Sequence, residues 1–227
     1  VKALRIRGFV SALAAAGLLA STGQVGAQVI TADPSLPVLY PAGFYATPAG
    51  VLPTYNGPGL TVVLSNVQHQ AFGPVTVLNI GPNEQEQFNS GMNGLLSVNG
   101  SPFVFANATG PVDTLVYGKV GNITGTFQTE MLSLSLSGSS PFGPFLIRES
   151  PTLPSLGQTT ISNIGGGLFH IDSFFDVFTE LSVDNGATWI PSQGPTHMDL
   201  TTPEPSILAV VGLFAGLFVL RGLQKRA

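Results

Sequence analysis

The sequence predicts an all-β chain folded as an antiparallel β-sandwich, jelly-roll-like or Ig-like, and three observations carry that expectation. Glycine (28) and proline (18) are abundant among 227 residues, which favours turns and short strands over long helices. From Leu60 onward the chain reads as short β-type runs separated by Gly, Pro and Asn: LTVVLSNV, PVTVLNI, GLLSVNG, PFVFAN, TLVYGKV, ITGTFQTEMLSLSLS and GPFLIRE. Within them, Leu132-Ser133-Leu134-Ser135-Leu136-Ser137 has strict period two, which on a strand puts three leucines on one face and three serines on the other. Repeated short strands of this kind build an antiparallel sandwich or barrel, and the sandwich is the reading adopted.

The first 27 residues read as a signal peptide. Lys2, Arg5 and Arg7 precede an apolar run from Gly8 to Ala20, and the small residues Val25, Gly26 and Ala27 offer a cleavage site before Gln28. The implied partners are the Sec export machinery and signal peptidase. Residues 28–59 carry Pro34, Pro37, Pro41, Pro48, Pro53 and Pro58, so this segment is expected to be extended and irregular, supplying at best an edge strand. The β body is expected over 60–200.

Charge divides the chain. Between its basic ends the body holds only Lys119 and Arg148 against eleven acids, a net charge of −9. Phosphate neutralisation needs clustered Lys and Arg, so nucleic acid is excluded as a partner. With no cysteine there is no thiolate nucleophile, disulfide framework or zinc–thiolate site. Three sequons, at Asn99, Asn107 and Asn122, are read as surface turns.

Phe169 to Asp184, FHIDSFFDVFTELSVD, alternates with an apolar odd face and predicts one long bent strand or two shorter ones. Asp172, Asp176, Glu180 and Asp184 recur every fourth residue. Four residues of strand span roughly 13 Å, while calcium ligands sit about 2.4 Å from one ion, so successive members cannot share a cation without help from another strand or a bulge; a solvated acidic face without metal is expected, with calcium held from neighbouring loops as the alternative. Just beyond, Ser182-Val-Asp184-Asn-Gly186-Ala-Thr188-Trp189 predicts a hairpin through its Asp-Asn-Gly turn. The pattern S-x-D-x-G-x-T-W resembles an Asp-box. That resemblance implies a structural role: Asp184 bonding turn amides, Gly186 at a positive-φ position, and Trp189 packed beneath.

No catalytic constellation is visible. There is no G-x-S-x-G elbow, no H-E-x-x-H and no phosphate loop, and the histidines are His69, His170 and His197 alone. Glu84 and Glu86 share one strand face about 7 Å apart, a spacing compatible with glycosidase carboxylates, but they are read as part of a solvated face. The expectation is therefore a non-enzymatic chain without catalytic residues or cofactor.

The last 27 residues carry the most specific signal. Pro203-Glu204-Pro205 is followed by an apolar run from Ile207 to Leu220 and by basic Arg221, Lys225 and Arg226. A transmembrane helix is expected over 206–223, with Gly212 and Gly216 as a helix-packing pair and the basic tail cytoplasmic by the positive-inside rule. The triplet, apolar run and basic finish resemble the PEP-CTERM sorting signal read by exosortases. Phe169 to Leu200 is also similar to a segment recurring before the anchor of many PEP-CTERM proteins. The resemblance implies an exosortase substrate, first anchored in the inner membrane, then cut near Pro203-Glu204-Pro205 and passed to the cell surface or matrix, in association with exopolysaccharide. Two other functions fit the sequence: a carbohydrate-binding module acting through Trp189, and a glycan hydrolase using Glu84 and Glu86.

Overall fold

The computed structural model describes residues 29–203, and every regular element in them is a strand. In chain order these are β1 (Val29–Thr31), β2 (Phe44–Ala46), β3 (Thr54–Gly57), β4 (Leu60–Ile80), β5 (Asn83–Val98), β6 (Val104–Val116), β7 (Gly125–Ser140), β8 (Gly143–Glu149), β9 (Ser155–Gly165), β10 (Leu168–Val177), β11 (Thr179–Ser182), β12 (Ile190–Pro191) and β13 (Thr196–Thr201). They form an eight-stranded, closed antiparallel barrel, which corrects the expected sandwich.

Closure is read directly from the pairing. β4, β5, β6 and β7 are successive hairpin partners. β8 and β9 lie end to end along β7, with Leu136 opposite Ile147 and Phe127 opposite Thr159. β10 pairs with β9 and β13, and β13 meets β2 through Asp199 opposite Ala46. β2 returns to β4 through Tyr45 opposite His69, which completes the ring. The supposedly irregular proline-rich segment thus provides the closing strand, while its Leu36 and Val38 are buried in the core.

Short strands were expected because Gly, Asn and Pro were read as chain reversals. Several of them instead lie inside long strands, at bulges. The 21-residue β4 runs through Asn66 (φ 51°) and Gly73 (φ 76°), where its register with β5 shifts between Ser65 and Gln68 and again between Phe72 and Thr76. Each bulge bends the strand and increases its twist, and accumulated curl is what brings a sheet round on itself.

A bulge also explains the Leu-Ser run. Met131 pairs with Thr114 and Ser133 with Asp113, leaving Leu132 as the extra residue. Parity flips there: Phe127 and Thr129 point inward before it, Leu134 and Leu136 after it, and Leu132 is exposed. Over β10 and β11 the expected alternation is seen, with Ile171, Ser173, Phe175, Val177, Thr179 and Leu181 all buried. The core fills the interior in two clusters, one around Leu64, Met92, Leu136 and Ile147, the other around Val29, Val116, Phe127 and Ile171.

The expected membrane helix over 206–223 and the signal peptide over 1–27 fall outside the described residues. Among the described residues no helix is long and apolar enough to cross a membrane. The expectation of a helix-bearing, inner-membrane-anchored precursor is corrected as far as the described residues go: every regular element among them is a strand and none of them supplies a helical anchor.

Candidate functional site: the barrel interior

An eight-stranded barrel has an interior that side chains can just fill, or that leaves room for one small ligand. Here a cavity of about 80 Å³ remains between the two core clusters. Its wall is mainly apolar and includes Tyr45, Phe88, Val112 and Phe175. The chain contains three methionines, and all three, Met92, Met131 and Met198, line this cavity. Unbranched, polarizable side chains of that kind adapt to occupants of differing shape.

The polar groups of the wall are few and buried. Tyr45 Oη is 2.8 Å from Ser173 Oγ, which is 2.6 Å from Thr159 Oγ1, and Tyr55 Oη is 2.7 Å from Thr179 Oγ1. Burial pushes both phenols upward, Tyr55 to about 12. His69 lines the same cavity, with Nδ1 3.2 Å from Ser90 Oγ, and loss of solvation lowers it to about 4, so it is neutral.

Glu86 is the exception to the solvated face expected from sequence. It is 2% exposed and faces the cavity. Thr114 Oγ1 donates to its Oε2 at 3.2 Å, while Oε1 has no hydrogen-bond partner among the described residues. Desolvation, reinforced by Glu84 and opposed by the Thr114 bond and Lys119, raises the carboxyl to about 8. At neutral pH it is therefore mainly a protonated acid, able to donate. Thr129 Oγ1, also in the wall, is buried without a partner as well. Two unsatisfied polar atoms facing one apolar cavity are costly unless something there answers them.

The arrangement suits binding better than turnover. The Ser90–His69 contact resembles a nucleophile and base, but the other nitrogen of His69 has no carboxylate partner among the described residues, and a ring held near 4 is a weak base. Glu84, the other member of the suspected carboxylate pair, is only partly buried and acts on Glu86 through charge.

The remaining expected residues lie elsewhere. In the hairpin, Ser182 Oγ donates to Asp184 Oδ1 at 2.7 Å and accepts from Gly186 N–H at 2.9 Å. Thr188 donates to Asp184 through its N–H at 2.9 Å and through its hydroxyl, and these bonds hold the carboxylate near 2. Asn185 and Gly186 have φ of 58° and 87°, the conformation that the Asn-Gly pair suits. The Arg148 guanidinium covers Trp189 at 4.0 Å from the ring centre. The acidic series is dispersed: Asp176 bonds His197, Glu180 bonds Arg148, and Asp184 closes the hairpin. No cluster of three His, Cys, Asp or Glu able to hold a metal ion occurs among the described residues. Pro203 is the last described residue, and Glu204, Pro205, Arg221, Lys225 and Arg226 lie outside. No family model, curated protein or solved structure matches this chain.

Thr129 and the methionines were not picked out from sequence, and Glu86 and His69 were named there without the buried, cavity-facing positions they occupy. A signal was present for Glu86: Glu86, Phe88, Ser90 and Met92 share one face of β5, opposite the wholly polar Gln85, Gln87 and Asn89.

Proposed function

We propose that this chain is a non-catalytic binding barrel that takes up a small, largely apolar molecule in its interior. The observation that carries the reading is the methionine-lined interior cavity, whose wall holds polar atoms unpartnered among the described residues. Buried apolar cavities stay dry and admit xenon or small hydrocarbons, so the cavity can be tested before its natural occupant is identified. Protein labelled with ¹³C at the methionine methyls places one probe at each of Met92, Met131 and Met198. Under xenon pressure all three resonances should shift, and Val112→Phe, which fills the space, should suppress the shifts in a still-folded barrel. Methyls that stay unmoved in the folded wild type would refute the proposal.

A second reading concerns delivery and is independent of the cavity. Pro203-Glu204-Pro205 and the basic tail support an exosortase substrate destined for an exopolysaccharide-associated role. Intact-mass measurement in a host with active exosortase tests it, since a mature species retaining residues 206–227 counts against sorting. A sugar platform at Trp189 is not favoured, because Arg148 already occupies one face of the ring.

A further inference from the structure

The orphaned oxygens of the cavity define the polar end of what it holds. Thr114 satisfies one oxygen of Glu86, leaving Oε1 alone, and Thr129 presents a second lone hydroxyl. The register places them across β6 from one another: Glu86 is opposite Thr114, and Val116, two residues on, is opposite Thr129. Two strand spacings across and two residues along the strand separate them, roughly 12 Å between their Cα positions. Elsewhere in the wall Tyr45 and Thr159 bond Ser173, Tyr55 bonds Thr179, and Ser90 bonds His69.

Size limits the remainder of the ligand. The cavity of about 80 Å³ is about half the roughly 150 Å³ apolar cavity known to take benzene, which limits the guest to a small acyclic compound of about four heavy atoms.

We infer that the barrel recognises a neutral, short-chain aliphatic compound bearing a carbonyl oxygen, which hydrogen-bonds the Glu86 carboxyl at its buried, unpartnered oxygen, with the Met-lined wall holding the chain. This rests on the cavity-binding reading above. A neutral acceptor is preferred to a cation because the Glu86 carboxyl, raised by burial and by Glu84 against the opposing pull of the Thr114 bond and Lys119, is itself a donor. His69 and Tyr45 share the cavity, both are neutral at pH 7, and neither supplies a charge to pair with an ionic ligand.

The test compares acetone with propane on the full chain, read by the three methionine methyls. In the wild type the ketone should bind about tenfold more tightly than it does in Glu86→Leu, the worth of one buried hydrogen bond, while propane binding is unchanged. Glu86→Gln keeps an N–H donor and should restore the ketone preference. Raising the pH through 8 should weaken ketone binding in the wild type and leave the Gln variant unaffected. If propane binds but the ketone affinity is the same in wild type and Glu86→Leu, the head-group assignment is wrong and the cavity reading stands. Ethylamine binding that exceeds the ketone and strengthens above pH 8 would make Glu86 a cation site and overturn the inference. If neither propane nor xenon moves any methyl, both readings fall.

Discussion

The guanidinium of Arg148 lies over the indole of Trp189, 4.0 Å from the ring centre, while its Nε and Nη2 both donate to Glu180 Oε2 at 2.8 and 2.6 Å. One side chain thus ties β8, β11 and the Asp184 hairpin together. Because Trp189 is the chain's single tryptophan, its fluorescence reports this junction alone.

Arg148→Lys should not preserve the junction, since an ammonium can neither stack as a plane nor fork onto the carboxylate. Both Arg148→Lys and Arg148→Leu are expected to cost about 1 kcal/mol in urea unfolding followed by Trp189 emission. A red-shifted emission in the folded Leu variant should accompany the loss. Unchanged emission together with unchanged stability would mean that the stack contributes nothing.

Stability should vary with pH through two cavity groups acting in opposite directions. Glu86 holds its proton to about 8 when folded against an ordinary 4.5, so the folded state binds more protons across that window and stability falls as pH rises through it. His69 titrates near 4 folded against an ordinary 6.5, so the unfolded state binds more protons and stability falls as pH drops through that range. Where the windows overlap, the slopes, each at most about 1.4 kcal/mol per unit, oppose one another. Glu86→Gln removes one of them. The stability difference between variant and wild type should therefore grow from pH 4.5 to 8 and then level off. A difference that stays constant across that range would place the carboxyl in water.

His197 sits at the β10–β13 seam between Asp176 Oδ1 (2.8 Å from Nδ1) and Asp199 Oδ1 (3.1 Å from Nε2). Partial burial lowers its pKa, but the two carboxylates outweigh that and raise it overall. The added stability is present below the ordinary value and lost as pH rises through the raised one. The group is half-exposed, so the effect should stay below about 1 kcal/mol. His197→Gln should remove this pH dependence, and NMR titration of the imidazole provides the direct check.

Close backbone approach makes two glycines irreplaceable. A Cβ on Gly110 would sit 1.9 Å from Ser135 O, and one on Gly157 would sit 2.1 Å from Phe174 O, so backbone would have to move. Alanine at either position should cost about 3 kcal/mol or prevent folding. Gly194, with nothing near its would-be Cβ, should accept alanine without measurable loss.

The local parts of this fold were legible because local chemistry determines them. Asp-Asn-Gly marks its hairpin wherever it occurs, and the alternation from Phe169 to Leu181 needs one core face and nothing more. Closure was not legible, because the pairing of Asp199 with Ala46 joins two segments that carry no mutual signature. Gly73 misled, since a positive-φ residue marks a bulge as readily as a turn, and only neighbouring strands decide between them. Glu86 was assigned to solvent by its charge, although Phe88 and Met92 on the same face pointed inward. A carboxyl faces inward when the fold keeps it neutral, a property of the assembled cavity and not of the residue type.

The seam between β2 and β13 has a consequence for how the molecule is made. Hairpins from β4 to β9 can form as each strand is synthesised, but Phe44 must wait for Thr201, its partner in the ring. Contacts so distant in sequence come late and slowly. Until Thr196–Thr201 emerges, the growing chain is an open sheet with two unpaired edges and its apolar lining uncovered, the state most prone to aggregate. The last six-residue strand therefore acts as a clasp, and the barrel cannot hold a guest until that strand is in place.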